Sequence, residues 1–332
     1  MSRRFVVIGG GAVGSVVAAQ LHLAGEDVVL IARGEHLRLV RERGLRLRRP
    51  AGDEIVPLPV ASGPLEAAPR RGDVLVLTVK AQDAEAALAE WAWTPLAGGG
   101  AGATLPVLTF QNGLAAEDLA LRRFAEVHGV SIGIAASFLT PGEVVSPSFP
   151  TVGALWIGPH PDADDPRAEA LAATFRGAGF AARAVPDISA WKARKLLANA
   201  VNGLDLFTGS DDERAALREV LVAEARLALT ANGRTVADDD GTRLRVDPVA
   251  GHTPGRLSTW QSFARGAGSE VDHLTGEVVL LARRAGVAVP VSERLQFLLG
   301  LRGREAAVVP LALAELSVPS SVFVPSPEGV PA

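Results

Sequence analysis

Lysine is rare in this chain, and its few positions are the first candidates for chemistry. Of the 33 basic residues only three are lysine, namely Lys80, Lys192 and Lys195, and the others are arginine. Arginine stays protonated at any working pH, whereas a lysine can release its proton. A lysine kept in an arginine-rich chain is therefore a candidate acid or base, and two of the three lie in one segment.

The segment that holds Lys192 and Lys195 is predicted to be a helix over Ser189–Leu206. At about 100° per residue, Lys195, Asn199 and Asn202 fall within about 80° of Lys192. Asparagine is a poor helix former, so two of them inside a helix favour a functional polar stripe that faces a cleft. An ordinary amphipathic helix with a solvated edge stays open as the alternative. The helical wheel does not choose between the two lysines.

A glycine-rich turn, Gly9-x-Gly11-x-x-Gly14, follows an apolar run and opens a predicted helix. In a dinucleotide fingerprint the first glycine permits the tight turn, the second lets the backbone approach a pyrophosphate, and the third lets helix and strand pack closely. The phosphates would rest at the helix N-terminus, on Ala12 and Val13, where backbone N–H groups and the helix dipole favour negative charge. The turn therefore predicts a dinucleotide cofactor.

The end of the second apolar run, Val28–Ile31, favours NADP over NAD. An NAD site usually has Asp or Glu there, on the ribose hydroxyls, and a carboxylate would repel a 2′-phosphate. Here Ala32 and Arg33 follow the run, and a guanidinium can bind that phosphate bidentately. The alternative is that Arg33 is one more surface arginine.

Strand-like and helix-like segments alternate in the first half, which predicts an α/β domain with a Rossmann-type, doubly wound parallel sheet. From about Ser131 to Gly158, short β-rich runs indicate antiparallel strands that extend the sheet. After Pro186 the chain is helical almost throughout, which predicts an all-α C-terminal domain. The expected regions are an NADP-binding domain at 1–186, a helical substrate and catalytic domain at 187–304, and a Pro-rich C-terminal tail at 305–332.

The composition excludes several classes of function. The 332-residue chain has a formal net charge of −4, which gives no indication of nucleic-acid binding. It has no cysteine, hence no disulfide framework or thiolate nucleophile, and its six histidines lack metal-ligand spacing. No signal peptide, membrane span or metal site is expected.

The chain resembles the ketopantoate reductase (2-dehydropantoate 2-reductase) family from about Arg3 to Leu301. The resemblance rests on an ordered set of motifs at matching intervals. These are the glycine-rich turn, Thr78-Val79-Lys80, Gln111-Asn112-Gly113, Trp191 with Lys195-Leu196-Leu197-x-Asn199-x-x-Asn202, Ser258-Thr259-Trp260-Gln261, and Ser269-Glu270-Val271-Asp272 with Gly276.

The resemblance implies a role for each of these positions. Lys195 would be the general acid that protonates the substrate oxygen while NADPH delivers hydride to the keto carbon. Glu270 would be the second catalytic residue and would bond a hydroxyl of the substrate or the cofactor. The implied substrate-binding residues are Asn112, Asn199, Asn202 and Ser258. The implied cofactor-binding residues are Gly9, Gly11, Ala12, Val13, Gly14, Arg33, Lys80, Asn112 and Glu270.

Two departures from the family pattern fall in the substrate half of the site. Many relatives space the two asparagines four residues apart, whereas here they are three apart and Gly203 stands at the fourth place. A further asparagine that some relatives carry has no counterpart in Phe207–Asp212. The residues for hydride transfer are present, but the identity of the keto acid stays open.

We predict a cytoplasmic enzyme that uses NADPH to reduce a 2-keto acid to a 2-hydroxy acid. Conversion of ketopantoate to pantoate, in pantothenate and coenzyme A biosynthesis, is the default reaction. Two alternatives stay open: reduction of another keto acid or an imine in secondary metabolism, and a non-catalytic NADP-binding regulator. The expected partner is a small keto acid, without nucleic acid or membrane. The role of Lys192 and the formation of a homodimer are left open.

Overall fold

The computed structural model describes residues 3–138, 140–250, 270–302 and 311–316. Within these residues the chain folds as two compact units. The first contains residues 3–138, 140–196 and 233–250, and the second contains 197–232, 270–302 and 311–316. The predicted boundary at Pro186 marks a change in the pattern of secondary structure. The division of the chain into separate domains at that residue stays a prediction.

The first unit alternates strands and helices, as predicted. Its strands are β1 Arg4–Ile8, β2 Asp27–Ile31, β3 Leu45–Arg49, β4 Gly52–Val56, β5 Val60–Ala61, β6 Asp73–Leu77, β7 Val107–Thr109, β8 Val127–Gly133, β9 Glu143–Val145, β10 Ala154–Pro159 and β11 Ala181–Ala184. Its helices are α1 Ala12–Leu23, α2 Gly34–Arg43, α3 Pro64–Ala67, α4 Ala81–Ala92, α5 Ala116–Leu121, α6 Pro166–Gly177 and α7 Ile188–Asn199, the last of which ends in the second unit.

Eight of these strands form one sheet, in the order β11-β10-β8-β7-β6-β1-β2-β5. Strands β5, β2, β1, β6, β7 and β8 are parallel neighbours, whereas β10 pairs with β8 in the antiparallel sense and β11 follows β10 in parallel. The structure therefore confirms both the Rossmann-type sheet and its antiparallel extension. A smaller sheet joins the hairpin β3–β4 to β9.

The sheet is buried on both faces, which explains why its strands are continuous apolar runs. In β1, Phe5 and Val7 belong to one apolar cluster, while Val6 and Ile8 belong to the cluster on the opposite face. Successive side chains of a strand point to opposite faces, so a run without polar residues is needed when helices cover both. Each such side chain contributes about 1.5–3 kcal/mol by leaving water.

The second unit is helical. It contains α8 Asp211–Ala231, α9 Thr275–Ala285 and α10 Pro290–Arg302, with 3-10 turns at Leu204–Leu206, Val271–His273 and Leu313–Leu316 and a short parallel pair between β12 Phe207–Thr208 and β13 Leu311–Ala312. A capping box begins α8, because the Ser210 hydroxyl accepts a hydrogen bond from the Glu213 N–H and the Glu213 carboxylate accepts one from the Ser210 N–H. The Glu224 carboxylate accepts the N–H groups of Val291 and Ser292 and so fixes α10 on α8.

Residues 311–316 belong to the region that the sequence assigns to a tail, but they take part in the core of the second unit. Leu311, Leu313 and Leu316 are buried among the apolar side chains of this unit. No helix among the described residues is both long enough and apolar enough to span a membrane.

Candidate active site

The glycine-rich turn joins β1 to α1, and its three glycines have different surroundings. Gly9 has a φ of +122°, and a Cβ there would lie 2.7 Å from the Val79 backbone nitrogen. A Cβ on Gly14 would lie 2.0 Å from the Gly9 carbonyl oxygen. A Cβ on Gly11 would meet no atom within 4 Å. Glycine is thus required at the first and third positions by backbone conformation and packing, while the second leaves the open space that a pyrophosphate needs.

The first turn of α1 is suited to bind an anion. Gly11 is the N-cap residue, no side chain caps the helix, and its first turn contains no acidic residue. The backbone N–H groups of Ala12 and Val13 lie at this positive end of the helix dipole, next to the open space at Gly11. These features fit the diphosphate of a dinucleotide.

Arg33 lies at the end of β2, where the sequence places the residue that selects the cofactor. It is the N-cap residue of α2. Its side chain is 82% exposed, and its nearest carboxylate, that of Glu90, is 3.8 Å away and itself well exposed. An ion pair this long in solvent is weak. The guanidinium can therefore turn to a 2′-phosphate, as the NADP prediction requires.

Thr78 connects the glycine-rich turn to the strand that precedes Lys80. Its hydroxyl donates to the carbonyls of Ile8 and Gly9, at 3.0 and 2.9 Å. Since β1 and β6 are parallel neighbours, both turns lie at the carboxyl edge of the sheet, where open α/β sheets bind ligands. Lys80 is half-buried and is the N-cap residue of α4.

Gln111 and Asn112 follow β7 at the same edge. The Gln111 amide nitrogen donates to the carbonyls of Leu77 and Val79, both at 2.9 Å, and so ties the end of β7 to the end of β6. The Asn112 Oδ1 atom is buried and has no hydrogen-bond partner among the described residues. A buried acceptor without a partner is costly in a folded protein, which supports the prediction that Asn112 binds a ligand.

The helical wheel predicts that Lys192 faces a cleft, but in the structure Lys192 is buried inside the first unit. Its Nζ atom lies 2.7 Å from the Gln111 carbonyl oxygen and 2.6 Å from a carboxylate oxygen of Glu117. The Glu117 carboxylate also accepts a 2.6 Å hydrogen bond from the Thr109 hydroxyl. The sequence left the role of Lys192 open, and the structure shows it joining α7 to α5 and to the end of β7.

Lys195 has different surroundings, although it is only one helical turn further along α7. It is half-buried, and it makes no hydrogen bond or ion pair with the residues that the structure describes. Burial lowers the pKa of Lys195 from its ordinary value of 10.5, because removing an ammonium from water without a partner favours the neutral amine. A lysine with a lowered pKa releases its proton more readily, which is the property of a general acid.

Residues 233–250, here called the return segment, hold α7 on its other side. The Ala237 N–H donates to the Ala190 carbonyl at 3.1 Å, and the Arg194 guanidinium donates to the Ala237 carbonyl at 3.2 Å. Arg194 also lies 3.3 Å from the Asp239 carboxylate. Sequence reasoning missed this support, because a polar segment without periodicity gives no sign of where it packs.

A pair of stacked tryptophans adds to the contact between α7, the sheet and the return segment. Trp191 stacks on Trp156 of β10 with ring centroids 4.8 Å apart and an angle of 13° between the planes. The Trp156 indole N–H donates to Asp240 of the return segment at 2.8 Å. The helix that carries Lys195 is therefore held from two sides within the first unit.

The two asparagines of the predicted stripe lie in the second unit. The predicted helix over Ser189–Leu206 is too long, since α7 ends at Asn199 and Asn202 lies in the turn that follows. The Asn202 amide donates to Asn199 Oδ1 at 3.2 Å, and the buried Asn199 Nδ2 has no partner among the described residues. A Cβ at Gly203 would lie 2.5 Å from the Leu299 Cδ1 atom, so an asparagine at the fourth place would require the Leu299 side chain to shift.

Glu270 and Ser258 complete the predicted site residues. Glu270 is half-buried and precedes the 3-10 turn Val271–His273, and its carbonyl accepts the His273 N–H at 2.9 Å. The longer helix α9 begins after this turn, at Thr275. Ser258 lies outside the described residues.

Comparison with known proteins identifies the family. The family model described as "Ketopantoate reductase PanE/ApbA" matches residues 5–162, and its "C terminal" companion matches residues 187–302. Together they match more than half of the chain.

The chain belongs to the ketopantoate reductase family.

Among its relatives, the 2-dehydropantoate 2-reductase of Halobacterium salinarum is 33% identical, over 91% of this chain and 99% of that protein. The enzyme of that name from Mycobacterium tuberculosis (strain H37Rv) is 31% identical, over 89% and 96%. A crystal structure of a ketopantoate reductase from Ralstonia eutropha JMP134 matches with a TM-score of 0.74 at 25% identity, over 92% of this chain and 99% of that one. A D-mandelate dehydrogenase with NADH and anilino(oxo)acetate shares the fold, with a TM-score of 0.75 at 20% identity, over 92% and 99%.

Family membership confirms the predicted fold class, enzyme class and cofactor. The chain is an NADP-dependent oxidoreductase that acts on CH–OH groups and reduces a keto acid. The alternative of a non-catalytic regulator is therefore not retained. The glycine-rich turn and Arg33 are the residues that fit the cofactor, and the role of each site residue stays a prediction.

Proposed function

We propose that the substrate is ketopantoate (2-dehydropantoate) and that the product is pantoate, made for pantothenate and coenzyme A biosynthesis in the cytoplasm. The support is the family match and the relatives at 31–33% identity, whose names state this activity. The carboxylate and hydroxyl of such a substrate need hydrogen-bond donors and acceptors in the site. A homodimer is compatible with this function and remains a prediction.

The observation that carries the mechanism is the half-buried Lys195 without a partner among the described residues. Bound NADPH supplies a hydride to the keto carbon. As negative charge develops on the carbonyl oxygen, the Lys195 ammonium stabilises it and donates a proton from Nζ, which yields the hydroxyl group. Lys195 is left as a neutral amine and regains a proton from water. The lowered pKa of Lys195 supports this role, because it brings the pKa of the amine closer to the working pH.

Two buried polar atoms support a polar ligand at the site residues. Asn112 offers an acceptor, Oδ1, and Asn199 offers a donor, Nδ2, and neither has a partner among the described residues. We propose that Asn112 orients the nicotinamide end of the cofactor and the substrate carbonyl, and that Asn199 and Asn202 bind the substrate. Glu270, Ser258 and Lys80 keep the roles that the family resemblance implies.

A second candidate substrate, a different keto acid, is favoured by the shape around Gly203. The Leu299 side chain would have to shift to admit a side chain at this position, and Asn202 donates one amide N–H to Asn199 Oδ1. The polar contact at the fourth place in many relatives is therefore absent here. A substrate with fewer hydroxyl groups than ketopantoate would suit such a site.

A panel of keto acids separates the two candidates. Initial rates of NADPH oxidation should give the highest kcat/KM with ketopantoate, and NADH should be the poorer cofactor. A keto acid without the hydroxyl that is used about tenfold better than ketopantoate would favour the second candidate. Removing the guanidinium with Arg33→Ser should reduce the preference for NADPH without weakening NADH, which checks the cofactor assignment in the same assay.

A further inference from the structure

Three buried polar side chains that the reaction does not use lie together in the first unit. Lys192 contacts Glu117 at 2.6 Å, and Glu117 accepts the Thr109 hydroxyl at 2.6 Å. The side chains of Lys192 and Glu117 are only 4% and 5% exposed. Ion pairs buried this deeply rarely add stability over apolar side chains of the same volume, because both charges lose their water. The pair therefore calls for an explanation other than stability.

The second bond of Lys192 suggests that explanation. Its ammonium donates at 2.7 Å to the carbonyl oxygen of Gln111, the residue directly before Asn112. The Gln111 side chain in turn donates to the carbonyls of Leu77 and Val79, and Val79 directly precedes Lys80. Lys192 is thus bonded to the turn that carries one predicted site residue, and through it to the strand end that carries another.

Helix geometry connects the same lysine to Lys195. Residues three apart lie on the same face of a helix, about 5–6 Å apart at their Cβ atoms. Any shift of α7 against the end of β7 would move Lys195 with it. The ion pair and the bond to Gln111 act at the turn of α7 next to Lys195, so they oppose that shift directly beside Lys195.

We propose that Lys192, with its charge neutralised by Glu117, is a positioning residue that holds Lys195 in register with Asn112 and Lys80. This inference rests on the proposed role of Lys195 as proton donor. Lysine suits the position better than the arginine used elsewhere in the chain, because a compact ammonium can donate to a carboxylate and a carbonyl in a small buried space. A planar guanidinium needs more room and points its donors in fixed directions.

The test replaces Lys192 by methionine and measures kcat, KM, the dissociation constant of NADPH and the solvent deuterium isotope effect on kcat. We expect kcat to fall about 100-fold, as for a misplacement near 1 Å, with cofactor affinity nearly unchanged. The isotope effect should rise, since a displaced donor makes proton transfer slower than the other steps. Thr109→Val is the matched control, because it removes a bond to the same carboxylate without touching α7, and it should leave kcat close to that of the wild type.

A merely structural role predicts a different result. If Lys192→Met only lowers the fraction of folded enzyme, kcat per chain falls in proportion to the NADPH-binding capacity, and KM and the isotope effect do not change. That outcome, or a kcat like that of the wild type, would overturn the proposal.

A second variant covers the case in which Lys192→Met does not fold. Lys192→Met with Glu117→Gln removes both charges, and it should fold but keep the low kcat and the raised isotope effect. Recovery of wild-type kcat would reject the positioning role.

Lys195→Met separates the positioning role of Lys192 from the proposed proton donation by Lys195. If it is active, the proposed proton donor is wrong, whereas an inactive Lys195→Met beside a fully active Lys192→Met rejects only the positioning role.

Discussion

Lys192 and Lys195 lie one helical turn apart on α7, and their surroundings differ in almost every respect. Lys192 is buried against a carboxylate and a carbonyl oxygen, while Lys195 is half-buried and without a bond to the described residues. The same side chain on the same face of a helix is therefore fixed in one case and left able to act on a ligand in the other. The partners that the fold supplies, rather than residue type or helical position, distinguish the two lysines.

The largest difference between Lys192 and Lys195 should appear in the activity of variants, with Lys195 the more sensitive position. Lys195→Met removes the proposed proton donor and the positive charge beside the substrate oxygen, and kcat should fall about 10²- to 10⁴-fold. Steady-state rates of NADPH oxidation with saturating substrate measure this loss. Lys195→Arg is the matched control, since it keeps the charge but holds its proton too tightly to donate it. Full activity in Lys195→Arg would show that residue 195 supplies only charge.

Measurements of stability should rank the two lysines in the opposite order, with Lys192 the more sensitive position. Lys192→Met leaves the Glu117 carboxylate buried without its partner, and the free energy of unfolding should fall by about 3–5 kcal/mol. Lys195→Met removes an ammonium that is partly buried without compensation, so it should leave the free energy of unfolding unchanged or raise it. Urea unfolding curves measure both. If Lys195→Met is the more destabilising change, Lys195 has a structural role, and the contrast between a fixed Lys192 and an available Lys195 is wrong.

Local patterns in the sequence predicted the parts of the site that depend on neighbouring residues. Part of the glycine-rich turn specifies its own geometry, because a Cβ on Gly14 would meet the Gly9 carbonyl oxygen, whereas a Cβ on Gly9 would meet Val79, which follows β6. Arg33 is likewise predicted from a local position, its place after β2. The alternation of apolar runs with helices likewise predicted the sheet and its two covered faces.

What the sequence did not predict depends on residues far apart in the chain. Glu117 gives no sign in the sequence that it will meet Lys192, and the return segment gives none that it will support α7. The helical period also gives no sign of where α7 ends: the structure ends it at Asn199, and Asn202 lies in the turn that follows. Leu299, which is distant in the sequence, packs beside Gly203 in this region.

The smallest expected effect concerns pH, and it has opposite signs for activity and stability. Reduction needs protonated Lys195, so kcat/KM, which reports the pKa of the free enzyme, should be at its plateau below the pKa of Lys195 and fall as the pH rises through it. Because burial lowers that pKa, the fall should lie below the ordinary value of 10.5. Oxidation of the hydroxy acid by NADP needs the neutral amine and should show the reverse dependence.

Stability should change the other way over the same range. Between the lowered pKa and 10.5 the unfolded chain binds more protons at Lys195 than the folded chain does, so the free energy of unfolding rises with pH there. Urea unfolding of the wild type and of Lys195→Met across this range isolates the contribution of the one side chain. A rise that persists in Lys195→Met would have another origin. If the rise disappears in Lys195→Met and the wild-type kcat/KM falls over the same pH interval, both effects come from one amine, which the fold makes costly to protonate and which the reaction needs in its protonated form.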